Sequence, residues 1–257
     1  MHGRRRADQS SGSCLMTFFR QSVPKRIGIA LSIVLFGIPT ILLWLATHQL
    51  LPALAMRGWE PLLPWFAAGS LVFVPLMIAA TVGAWMALSR PTLPALLAHL
   101  RIGALSGADW RLALSVLAIT VAMVALLQIL SMQMWPTLSP HPPFMRVQAL
   151  SANQLYVLAL WLPFFFANVV GEELWWRGFI QPRQELVFGQ ATWIVQGILH
   201  GVFHVSFGAG VLLALLPVLF AIPWAVQRSR NTSVGIVIHA GINGPGFLAV
   251  VLGLLPA

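Results

Sequence analysis

Seven apolar runs, at about 28–50, 62–88, 112–135, 153–172, 190–207, 210–227 and 232–255, constrain this 257-residue chain more than any other feature. A helix needs about 20 such residues to cross a bilayer, and inside hydrocarbon the backbone must satisfy its own polar groups. Only 8% of the chain is charged, against about a quarter in soluble domains. The expected fold is therefore all-α: a polytopic transmembrane helical bundle of about seven spans, eight at most. Runs five and six are separated only by "FGAG", a tight hairpin, and "WPTLSPHPP" (135–143) cannot continue a helix and reads as a loop. Candidate caps follow the same parsing. Asp109 stands before the third run, Ser151 with Gln154 makes a capping box before the fourth, and Asn231, Thr232 or Ser233 caps the seventh.

The formal charge of +9 would suggest nucleic acid in a soluble protein, but here the basic residues lie between apolar runs, where they set topology. With the N-terminus inside, Arg4, Arg5, Arg6, Arg20, Lys25, Arg26, Arg90, Arg101, Arg111, Arg177, Arg183, Arg228 and Arg230 are internal, leaving Arg57 and Arg146 outside. The reading is a multi-pass protein of the cell membrane with a cytoplasmic N-terminal tail, residues 1–26, and a transmembrane domain, 27–257. The lipid bilayer is its partner and nucleic acid is not. The first apolar run is too long for a cleavable leader and reads as a retained helix. A single cysteine, Cys14, excludes an internal disulfide.

Three polar groups interrupt these runs with helical spacing. In run four, Glu173 and Arg177 are i,i+4 and pair along one face. Glu172 is turned about 100° from Glu173, so one glutamate is braced and the other is free to face a cavity. In run five, Gln196, His200 and His204 form a stripe flanked by Gly197 and Gly201, a small-xxx-small pair that permits close helix contact. In run seven, His239 and Asn243 are i,i+4, and Pro245 should disturb the helix beyond them. Trp175, Trp176 and Trp193 read as aromatic-belt residues. A charge at mid-helix costs at least ~2.5–3.5 kcal/mol on insertion scales. A carboxylate, histidines and an amide on three helices therefore imply one shared polar cavity.

"EELWWR" resembles the Glu-Glu-x-x-x-Arg motif of the CPBP intramembrane proteases, the group of the type II CAAX prenyl endopeptidases and bacteriocin-processing proteins. "GILHGVFH" (197–204) resembles the second motif of that family, an aromatic four residues before a histidine, and "HAGIN" (239–243) matches the third, His-x-x-x-Asn. The order and spacing agree across about residues 154–250. One departure is that His200 stands at the aromatic position.

The resemblance implies an intramembrane endopeptidase hydrolysing a peptide bond of a membrane-associated protein or peptide. Glu172 and His204 would activate water, His239 and Asn243 would stabilise the oxyanion, and Glu173 with Arg177 would hold the site. No cofactor is expected. Zinc held by His200, His204 and a glutamate is the less favoured alternative. The rival functions are a proton-coupled transporter or channel and a non-catalytic membrane scaffold. At 1.5 Å per residue, His239 lies about 10 Å into run seven and His204 about 20 Å into run five. They meet only if run five starts below the surface or its hairpin is sunk in the membrane.

Overall fold

The computed structural model describes residues 25–59, 62–139, 141–145 and 148–254. The expected tail, but for Lys25 and Arg26, and Arg146 lie outside the described residues. Within them the secondary structure is helical throughout. Helix α1, Ile29–Ala55, passes through a π turn at Ala46–Leu50. It is followed by α2, Leu63–Ala87, the short α3, Leu93–His99, and α4, Gly107–Met134. Helix α5 is one continuous rod in three segments, Tyr156–Glu173, a π-helical Leu174–Ile180, and Gln181–Phe188. Helices α6, Thr192–Phe203, α7, Ala209–Ser229, and α8, Thr232–Val251, complete the bundle.

Among the described residues six stretches are long and apolar enough to cross a membrane, with α5 and α6 counted together. Their outer faces carry large apolar residues such as Ile33, Ile41, Leu71, Ile119, Leu126 and Phe166, all more than half exposed. A surface of this kind is stable against acyl chains and not against water. The chain is a multi-pass membrane protein.

Two apolar clusters organise the interior. One joins α1, α2 and α5 around Phe36, Phe73, Phe164 and Trp176, and the other joins α4, α7 and α8 around Ala113, Ile222, Val226 and Ile238. Small residues set the spacing where polar groups must meet. A Cβ on Gly171 would lie 2.5 Å from the Phe73 carbonyl oxygen, so α2 and α5 touch backbone to side just before Glu172. Gly197 faces the Phe220 ring too closely for any side chain, which fits the close contact its spacing predicts.

Several boundaries differ from expectation. Run four does not stop at residue 172. The rod continues to Phe188, with Trp176, Arg177, Ile180, Gln181 and Gln184 buried. Glu172 and Glu173 therefore stand in the middle of a helix rather than at its end. The reason is that the polar side chains beyond them find partners inside the protein. Gln184 donates to Ser32 Oγ, Gln196 to Gln184 Oε1, and Gln181 to the Pro223 carbonyl. Trp175 and Trp176 are core, not belt, residues, stacking on Phe179 at 5.4 Å and on Phe36 at 4.1 Å.

The cap of α4 is Ser106, with Asp109 at its third position closing a reciprocal capping box. Ser151 with Gln154 caps as expected, and Asn231 caps α8 by accepting from the Ser233 amide. Helix α8 runs on past Pro245 without a break. Helix α6 is 12 residues long, about 18 Å, too short for about 30 Å of hydrocarbon. Its reversal at 204–208, which needs Gly208 at φ 87°, packs Phe207 against Trp65 in the first turn of α2 and Phe144 of the loop before α5. His204 still reaches Glu172, a ring nitrogen lying within 4.8 Å of a carboxylate oxygen.

Candidate active site

The four turns of α5 around its π segment bring Asn168, Glu172, Glu173 and Arg177 to the helices that face them. Residues i and i+4 share a face in α geometry, so Asn168 sits below Glu172 and its Nδ2 donates to Glu172 Oε1 at 2.8 Å. Trp176 Nε1 reaches Glu172 Oε2 at 3.3 Å. On the next face, Arg177 Nε lies 3.6 Å from Glu173 Oε2, an ion pair longer than a hydrogen bond, with both side chains fully buried. The pair expected from the sequence is formed. It lies wholly inside the protein, where its desolvation must be offset by further polar contacts.

Helix α6 supplies His200. Arg177 NH2 donates to His200 Nδ1 at 3.0 Å. Because a guanidinium only donates, the imidazole proton resides on Nε2, which donates to Glu172 Oε2 at 2.8 Å. Helix α8 supplies the other arm. His239 Nδ1 donates to Glu173 Oε1 at 3.0 Å, so its Nε2 accepts from Asn243 Nδ2 at 3.0 Å. Asn243 Nδ2 also donates to Asn168 Oδ1 at 3.3 Å.

The contacts close into a ring: Glu172, His200, Arg177, Glu173, His239, Asn243, Asn168 and back to Glu172. Three helices are cross-linked by it, and each charge is shared among several partners. Glu173 Oε2, Arg177 Nε and Arg177 Nη1 make no hydrogen bond in it, so the ring is only partly satisfied at its buried ion pair. The adjacent glutamates thus do different jobs, as their 100° separation requires. Glu172 is nonetheless not free of partners, because Asn168, Trp176 and His200 all donate to it.

His204 stands beside the ring rather than in it. It terminates α6, its Nδ1 is 3.0 Å from the His200 carbonyl, and its ring meets that of His200 edge-on at 4.7 Å. One ligand atom each from Glu172, His200 and His204 lie within 4.8 Å of one another. Glu172, Glu173, Arg177, His200 and His239 are buried, while Asn168, His204 and Asn243 are half-buried and form the mouth. The mouth is roofed by aromatic rings, with Phe207 5.1 Å from His204 and 5.2 Å from Phe144.

All six residues singled out from the sequence lie in or against this site. His200, which the sequence reading used only in the zinc alternative, is its central connector. Asn168 was missed, and its only signal was an amide one turn before Glu172 in an apolar run. An amide that orients a neighbouring carboxylate leaves no motif of its own.

No curated protein and no solved structure gives a significant match to the chain. The family model described as type II CAAX prenyl endopeptidase Rce1-like matches residues 154–244, the segment that carries every residue of the ring, and over this segment the chain is similar to that family.

Proposed function

We propose that the protein is an intramembrane endopeptidase of glutamic type, cleaving a membrane-associated protein or peptide. The observation that carries this reading is the setting of Glu172. Its carboxylate is oriented by three donors on one side of a partly open mouth, with His204 close by.

Water between Glu172 and His204 loses a proton to Glu172 as its oxygen attacks the scissile carbonyl. The carbonyl oxygen becomes the oxyanion of a tetrahedral intermediate. Asn243 has one N–H on His239 and one on Asn168. The second can turn to the oxyanion, while His239, held by Glu173 at Nδ1, accepts the first at Nε2 and so aims the amide at the developing charge. As the C–N bond breaks, the proton held by Glu172 passes to the leaving amine, directly or through His204. Glu173 and Arg177 touch no reacting atom and act as positioning residues.

Zinc is the family-level alternative, and Glu172, His200 and His204 are residue types that zinc takes. The donor set does not fit it. A metal would need a lone pair on His200 Nε2, the nitrogen whose proton is fixed there by Arg177 on Nδ1. It would also sit next to a fully buried guanidinium. These contacts support the metal-free reading.

We further read the basic end of the bundle as cytoplasmic in the cell membrane. Single cysteines replacing Arg57 and Arg90 should then label from opposite sides, and labelling from one side would overturn this orientation. The activity is tested by comparing membrane proteomes of cells carrying the wild type and Glu172→Gln. New C-termini present only with the wild type are the expected result. Identical termini in both would sink the protease reading.

A further inference from the structure

Away from the ring, the link between α5 and α6 and the end of α7 border a polar surface cavity of about 270 Å³, open to the outside and lined by Gln190, Trp193, Trp224, Gln227, Arg228 and Arg230. Its wall is built rather than incidental. Gln227 Oε1 accepts from the Trp193 amide at 3.0 Å, while its Nε2 donates to the carbonyls of Gly189 and Gln190. Arg230 ends α7 in the left-handed conformation, φ 54° and ψ 30°, which turns the chain sharply and leaves two arginines on one rim.

These arginines have no carboxylate partner among the described residues. Of the chain's six acidic residues, Glu172 and Glu173 belong to the ring, Glu185 is held bidentately by Arg101, and Asp109 closes the cap of α4. Asp8 and Glu60 lie outside the described residues.

Two arginines over one small polar cavity are suited to a phosphate, which takes paired guanidinium donors. The volume corresponds to roughly nine waters at about 30 Å³ each, room for a phosphate and a polar substituent. Trp193 and Trp224 supply what a free anion does not need, namely indoles of the kind that lie at headgroup depth. Trp224 is 41% exposed on the outer face of a membrane-spanning helix. We infer that this cavity binds the phosphodiester headgroup of an anionic phospholipid, with its acyl chains running along the outer faces of α6 and α7. The inference stands apart from the peptidase reading.

The test uses the full-length protein in neutral detergent, titrated with phosphatidylglycerol, phosphatidylcholine or inorganic phosphate, with the thermal midpoint as readout. Phosphatidylglycerol should raise the midpoint by about 3 °C or more, and the other two should not. The variant Arg228→Gln/Arg230→Asn, whose asparagine tolerates the left-handed backbone, should lose that shift. In native mass spectra it should also lose retained phosphatidylglycerol. An equal shift with phosphatidylcholine, or an unchanged shift in the variant, would overturn the site. A shift from inorganic phosphate equal to that from the lipid would make it a free-anion site and overturn the headgroup assignment.

Discussion

His200 Nε2 donates to Glu172 Oε2 at 2.8 Å while Arg177 holds the opposite ring nitrogen at 3.0 Å. One histidine thus couples the glutamate proposed as base to the arginine that neutralises its neighbour. Where the family motif has an aromatic residue, this chain has a hydrogen-bonding connector.

That relationship predicts the behaviour of His200→Phe, which restores the aromatic and keeps the volume. Hydrogen bonds to charged groups contribute about 1.5–3 kcal/mol, so kcat should fall about 10- to 100-fold with KM little changed. Chelators should leave the wild type active, since Glu172 and not a metal activates the water. Wild-type kcat in His200→Phe would show that His200 does not position Glu172. Loss of activity with chelator, restored by zinc, would make the site a metal centre.

The ion pair of Glu173 and Arg177 is wholly buried. Removing one partner strands the other, so Arg177→Met and Glu173→Gln should each destabilise the protein by about 3–5 kcal/mol. Together they should cost less than their sum, with a coupling of about 0.5–3 kcal/mol. Unfolding of both single variants and the double variant in mixed micelles measures this, and strict additivity would mean the two charges do not act as a pair.

Gly235 is where α8 admits the Glu173 carboxylate. A Cβ there would lie 2.5 Å from Glu173 Oε2 and 2.8 Å from Val226 Cγ2. Gly235→Ala should push Glu173 off His239 and destabilise the protein by about 1–3 kcal/mol. Gly246→Ala, on the same helix with nothing within 4 Å of the added carbon, should be neutral or stabilising by up to ~1 kcal/mol. Equal effects from the two would remove the steric argument.

At the basic end of the bundle, Arg183 donates to His99 Nε2 at 2.8 Å. Burial, and secondly the Arg183 charge, hold the His99 pKa below its ordinary 6.5. The folded protein therefore keeps His99 neutral while the unfolded chain takes up a proton near 6.5. Stability from this contact is present above about pH 6.5 and is lost as the pH falls toward the lowered value. His99→Asn should be less stable than the wild type at pH 7.5 and close to it at pH 5. A difference independent of pH would show that His99 does not titrate with folding.

The apolar runs by themselves determined that the chain is a helical membrane bundle, because in hydrocarbon no other open-ended segment satisfies its backbone. Helical spacing likewise paired Glu173 with Arg177 and His239 with Asn243, since residues one turn apart on the same helix are neighbours whatever surrounds them. The tertiary structure decided what spacing cannot encode. It joined α5 through a π segment into one rod, placing both glutamates at its middle. It also ended α6 after 12 residues so that His204 meets the site at the end of that helix.

Neither boundary was legible, because a buried glutamine or arginine looks like a membrane-exit signal until its partners on other helices are known. The role of His200 was hidden for the same reason. Its tautomer is fixed by a guanidinium 23 residues away in sequence and its proton is shared with a carboxylate 28 residues away. Contacts across that separation exist only once the helices have packed.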